Sequence, residues 1–169
     1  MKTMQGATLA TTLLLLFVIT LIGVTAIQVT HMQEKMTANL QDKELSFRAA
    51  ESALSAGEDW IVSLQQEPTL YEQCPEFPCV QNLFINFDYA GQSASWWQAN
   101  SAAFNGALKN IAAPPRYIIE FLQFVPDSPV VGSSSSKSTG VYYYQVTARG
   151  TGATDDAVTI LQTTTARRF

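Results

Sequence analysis

The chain has 169 residues, 47% of them apolar and only 14% charged, with a formal net charge of -4. That length suits one folded domain plus an anchoring segment. The charge is mild and spread out, with only Arg167-Arg168 locally basic. This excludes the clustered Lys/Arg surface that displaces counterions from phosphates, so no nucleic-acid partner is expected.

The low charge has a local origin: between Lys2 and Glu34 no side chain is formally charged. Ala7 to Ile27 reads ATLATTLLLLFVITLIGVTAI, 21 residues, and about 20 apolar residues cross a bilayer as a helix. Leu13 to Ile19 is apolar all round, leaving no face for water. Thr11, Thr12, Thr20 and Thr25 are tolerated there because their hydroxyls can bond carbonyls one turn back. The short N-terminal flank carries one lysine, Lys2, which by the positive-inside tendency keeps the N-terminus cytoplasmic and exports the bulk of the chain. A cleaved secretory signal competes with this reading, since Val24-Thr25-Ala26 resembles a peptidase site. Against it, the run exceeds the usual core of roughly 7–15 residues and no helix breaker follows.

Gln28 to Gln65 contains no proline and consists mostly of good helix formers. A stripe runs Met36, Leu40, Lys43, Phe47, Ala50, Leu54, Gly57, Ile61, Leu64 in steps of three and four. Phe47, Ala50, Leu54, Ile61 and Leu64 are its expected packing face. The opposite face carries Glu34, Lys35, Asp42, Glu44, Glu51, Glu58 and Asp59. Glu67-Pro68 ends the pattern, because a residue before proline avoids helical angles. Together with the anchor this predicts one helix of about 58 residues, ~87 Å long at about 1.5 Å per residue. Periodicity leaves open a single-pass anchor followed by a separate helix.

Beyond Pro68 the composition changes. Cys74 and Cys79 enclose Pro75-Glu76-Phe77-Pro78. Without more Cys or a nearby His they cannot close a tetrahedral zinc site. A small disulfide loop in an oxidising compartment is expected, over two free thiols. Residues 69–91 read as loop with aromatic Phe84, Phe87 and Tyr89, and 93–110 can hold a short helix around Trp96-Trp97. Trp96-Trp97 read as core in preference to an adhesive patch. Arg116–Val125, Val141–Arg149 and Ala157–Thr165 read as strands, with Gly150–Asp156 as a hairpin between the last two. Gly132–Gly140, with four serines in a row, reads as a loop. The order is long helix, irregular region, antiparallel sheet over about residues 116–165, an α+β chain.

No catalytic constellation is visible, so the chain is not expected to be an enzyme, and no metal or cofactor is expected. His31 is the only histidine and lies beside the apolar run; Glu51 and Glu120 are lone carboxylates. Thr154-Asp155-Asp156 offers oxygens to a cation, but a hairpin turn explains it as well, and hard-cation sites take about 6–8 oxygen ligands.

Met1-Lys2-Thr3-Met4-Gln5-Gly6 followed by Ala7-Thr8-Leu9 resembles the leader and cleavage site of type IV pilins and type II secretion pseudopilins. Leu21-Ile-Gly-Val and Asn39-Leu-Gln-Asp-Lys-Glu-Leu-Ser-Phe-Arg-Ala-Ala-Glu-Ser-Ala-Leu54 narrow the resemblance to PilX-type minor pilins, as do Arg116-Tyr-Ile-Ile-Glu120 and Tyr144-Gln-Val-Thr-Ala-Arg-Gly-Thr-Gly152. Residues 65–114 resemble nothing identified. The resemblance implies a type IV pilin fold, with a long N-terminal helix packed by its C-terminal half on a small antiparallel sheet. It also implies a leader over 1–6, a transmembrane part of the helix over 7–27, an exported part over 28–66 and a globular region over 67–169. A prepilin peptidase would cut between Gly6 and Ala7 and methylate Ala7. The subunit would sit in the bacterial inner membrane with its C-terminus in the periplasm, then in the pilus. It would act as a minor pilin priming assembly at or near the tip, supporting twitching motility and adhesion. Its partners would be other minor pilins and the major pilin through the helix, and a large tip adhesin.

Major pilins carry a glutamate fifth after the cut, thought to pair with a neighbour's N-terminal amine; here Thr11 stands in that position. Gly23 would allow the helix to loosen on assembly, or serve close helix packing. Two alternatives remain: a minor pseudopilin of type II secretion, and a secreted binding domain behind a cleaved signal.

Overall fold

The computed structural model describes residues 5–84, 86–127 and 139–169, with side chains from Thr8 onward. Residues 1–4 of the expected leader and the serine run 133–136 lie outside the described residues. The first element, α1 (Gln5–Ser63), is an unbroken helix of 59 residues. It ends at Ser63, three residues before the expected bound at 66 and ahead of the Glu67-Pro68 breaker. The chain divides into two compact units, Met1–Gln41 and Asp42–Phe169.

In the second unit, α1 is followed by β1 (Leu70–Tyr71), β2 (Val80–Asn82), α2 (Ala94–Asn100), β3 (Ala102–Ala103), β4 (Arg116–Pro126), β5 (Gly140–Thr151) and β6 (Val158–Arg167). β4, β5 and β6 form an antiparallel meander with Tyr117 opposite Ala148 and Ala148 opposite Leu161. The register slips once, between Phe121 and Gln123.

The sheet is not purely antiparallel, as expected, but mixed. It runs β1-β2-β4-β5-β6, with β1, β2 and β4 parallel, and β3 antiparallel on β4. β2 and β3 thus share one edge of β4. Both are too short to show an alternating pattern, so residues 69–110, where no strand was expected, supply half the strands. Parallel neighbours usually need a connection of about a dozen residues or more. Residues 72–79 suffice here because the strands they join are only two and three residues long.

Two cores flank β4, which is buried on both faces from Tyr117 to Glu120. On one side Tyr117, Ile119, Tyr144, Val146 and Ala148 meet Ala53 and Ile61 of α1. On the other, Ile118 meets Tyr89 and Trp97, with Phe87, Trp96 and Ile160 packed around them.

The helix seam differs from the expected one. Ala50 and Ile61 are fully buried and Leu54 and Leu64 half-buried, but Phe47 is 46% exposed. Besides Ala50 and Ile61, the buried residues of α1 are Ser46, Ala49, Ala53 and Gly57. The reason is close approach of backbones. A Cβ on Gly150 of β5 would lie 2.3 Å from the Ala50 nitrogen and from the Ser46 carbonyl oxygen. A ring at position 47 has no room on that line, so the small residues one position over take the seam.

Candidate functional site

Every described side chain from Thr8 to Gln41 is exposed, including Leu13, Leu14, Leu15, Leu16, Phe17 and Ile19. Such a surface is stable only against an apolar solvent or another apolar surface. The threonine hydroxyls of the apolar run are satisfied within the helix. The hydroxyls of Thr11, Thr12, Thr20 and Thr25 donate to the carbonyls of Thr8, Leu9, Phe17 and Ile22 at 2.7–2.9 Å. That is the arrangement hydrocarbon demands, since no water is present to take a free donor. This is also the one described helix long and apolar enough to cross a membrane. Gly6 and Ala7 lie in its first turn. A Cβ on Gly23 would meet nothing. His31 lies beyond the apolar run, with Nδ1 3.6 Å from Glu34 Oε2 and both side chains exposed.

The first residues of the second unit hold the β5–β6 hairpin. Asp42, expected on the solvent face, accepts from the Ala153 and Thr154 nitrogens and from the Thr154 hydroxyl. The Thr154 hydroxyl, with the two backbone donors, holds the Asp42 carboxyl below its usual range. Lys43 donates to the Val158 carbonyl, and the Ser46 and Thr159 hydroxyls bond at 2.7 Å. The turn at Thr154-Asp155-Asp156 therefore offers its backbone donors to a carboxylate. Among the described residues no group of three or more His, Cys, Asp or Glu could hold a metal ion.

Cys74 and Cys79 form a disulfide, with Cα atoms 6.0 Å apart. Gln81 in the adjoining β2 donates to Cys74 Sγ at 3.3 Å, tying the ring to the sheet.

The outer face of β4 holds a group that sequence reasoning treated only as isolated residues. Glu120 is completely buried and accepts from the Phe84 nitrogen at 3.0 Å. Burial pushes its carboxyl up, against the opposing influence of Phe84 and Tyr89. The Tyr89 hydroxyl faces the same carboxyl, though neither it nor Glu120 Oε2 has a partner at full hydrogen-bond geometry. Around them Phe84, Phe87, Tyr89, Trp96 and Trp97 form a chain of ring contacts, with centroids 4.8–6.2 Å apart. Trp97 is fully buried, as expected for core, while Trp96 is half-buried.

Arg116, the first residue of β4, fixes α2 in place. Its Nη1 donates to the carbonyls of Trp97, Gln98 and Ser101 at 3.4, 3.2 and 2.9 Å. These are the carbonyls a helix C-terminus leaves unpaired, and a cation is favoured there. At the other end Ser93 caps α2 by accepting from the Trp96 nitrogen. The clue in the sequence was the density of aromatics between Phe84 and Trp97, which a loop does not need.

The family described as type IV pilus assembly protein PilX, C-terminal part, matches residues 37–167. The PilX N-terminal family matches residues 5–55. No curated protein and no solved structure matches the chain. With an exposed apolar N-terminal helix, a helix-on-sheet second unit and these matches over nearly the whole length, the chain belongs to the PilX family of type IV pilus assembly proteins.

Proposed function

We propose that the chain is a minor pilin that primes pilus assembly at or near the filament tip and supports twitching motility and adhesion. The observation that carries this reading is the exposed apolar surface of α1 from Leu9 onward, combined with Thr11 in the fifth position after the expected cut. A carboxylate at mid-membrane costs about 2.5–3.5 kcal/mol on insertion scales and needs a partner. The Thr11 hydroxyl instead bonds within its own helix, 2.9 Å from the Thr8 carbonyl. It offers no charge to a subunit lying ahead, which suits the first position of a filament. Prepilin peptidase cuts after Gly6 and methylates Ala7. The subunit waits in the inner membrane with its C-terminal unit in the periplasm, then joins other minor pilins and the major pilin through α1. A large tip adhesin is a further partner.

Deleting the gene in a strain whose pilus retraction is also disabled tests the assembly role. Loss of most surface pili is expected; normal numbers would overturn it. N-terminal sequencing of the mature chain should begin at methylated Ala7, whereas a start at Ile27 would make it a secreted domain. Thr11→Glu tests the tip position: unchanged piliation together with unchanged tip labelling would count against it.

A further inference from the structure

We propose that the cleft between the β1–β2 edge and α2 binds a neutral saccharide. The cleft encloses about 660 Å³, within the range of roughly 300–1,000 Å³ typical of small-molecule sites. One wall is aromatic, made of Phe84, Phe87 and Trp96. Glu72, Gln73 and Asn82 line the cleft too. These three side chains are exposed and bond to no other group among the described residues. Gln81 and Asn100 complete the lining but are already committed, to Cys74 Sγ and to the Trp96 carbonyl.

The chemistry of this lining selects the ligand class. Among the described residues no lysine, arginine or histidine lines the cleft, so phosphates and other anions find no positive partner there. A single carboxylate cannot supply the several oxygens a hard cation needs. Carboxamides present both donors and acceptors, and a carboxylate accepts only. Vicinal hydroxyls match that set, each giving and taking one bond, while the C–H face of a pyranose covers an aromatic ring. An extended peptide fits less well, because β1 offers only two residues of sheet edge.

The site is also rigid before any ligand arrives, which lowers the cost of binding. Phe84 is held through its nitrogen by Glu120, and Phe87 and Trp96 lie with centroids 5.2 Å apart. Arg116 and Ser93 fix both ends of α2.

The test uses the full chain in a detergent without a sugar headgroup. Neutral trisaccharides of the gluco, galacto, manno and 2-acetamido series are screened by saturation-transfer NMR and tryptophan fluorescence, beside a proline-rich decapeptide. At least one trisaccharide should bind with a Kd of about 1 mM or tighter. Asn82→Ala and Glu72→Gln, both at exposed positions, should each weaken it roughly 3–10-fold. Trp96→Ala should weaken it more, while Thr164→Ala on β6 should leave it unchanged. The proposal fails if no series binds, if binding ignores Asn82→Ala and Glu72→Gln, or if the decapeptide alone binds.

Discussion

Gly57 shows how a single hydrogen can decide a packing line. Alanine normally improves a helix interior over glycine by about 1 kcal/mol. Here its Cβ would sit 2.6 Å from Val146 Cγ1 and 3.0 Å from the Tyr117 ring, and overpacking costs about 1–3 kcal/mol. Gly57→Ala should therefore lower stability by about 1 kcal/mol. In a Val146→Ala background the same change should raise it, and thermal unfolding of the four variants reads the reversal. Glu120 is a second residue whose context overrides its type. Burial raises its folded pKa above the unfolded carboxyl value of about 4.3. Its contribution to stability is thus complete below about pH 4.3 and is lost as pH rises through the folded value. Glu120→Gln should raise the Tm at pH 7.5 and lose that advantage near pH 4, as followed by circular dichroism. Asp42 has the opposite sign: its lowered pKa gives stability above about pH 3.9 that fades as pH falls. Asp42→Asn should speed amide exchange at Ala153 and Thr154 at pH 7, with the difference shrinking in acid.

Among elements, length governed what could be read in advance. α1 carries dozens of residues of consistent propensity, and β4, β5 and β6 each run ten to twelve residues with β-branched and aromatic runs. Those four were legible. β1, β2 and β3 have two or three residues each, and their pairing is set by the neighbours of β4, not by any local pattern. The helix seam was legible in its apolar members Ala50 and Ile61 but not at Phe47. Periodicity ranks residues by hydrophobicity, whereas Gly150 selects them by size. The Glu120–Tyr89–aromatic site stayed hidden because its members come from two stretches about thirty residues apart that the β2–β4 and β3–β4 pairings bring together. The disulfide ring supports that annexed edge. Replacing both Cys74 and Cys79 by Ser should cost about 2 kcal/mol by loop-closure entropy. Hydrogen exchange should rise first in β1 and β2 and leave the β4–β5–β6 meander protected.

For the whole molecule, the apolar stretch of α1 sets the conditions under which the chain exists at all. From Leu9 to Met36 its large apolar side chains stand open in the lone chain. The protein should stay with membranes through alkaline carbonate washing and need detergent for release. Leu16→Arg should weaken insertion by about 2.5–3.5 kcal/mol and shift the chain towards aggregates or degradation, visible by fractionation.

The same open surface bears on the energetics of the filament role proposed above. Lipid tails are as apolar as leucine, so exchanging a bilayer for a bundle of like helices changes little in the contact with water. Under the proposed minor-pilin role, joining the filament and returning to the membrane are then nearly level in free energy as far as this helix is concerned.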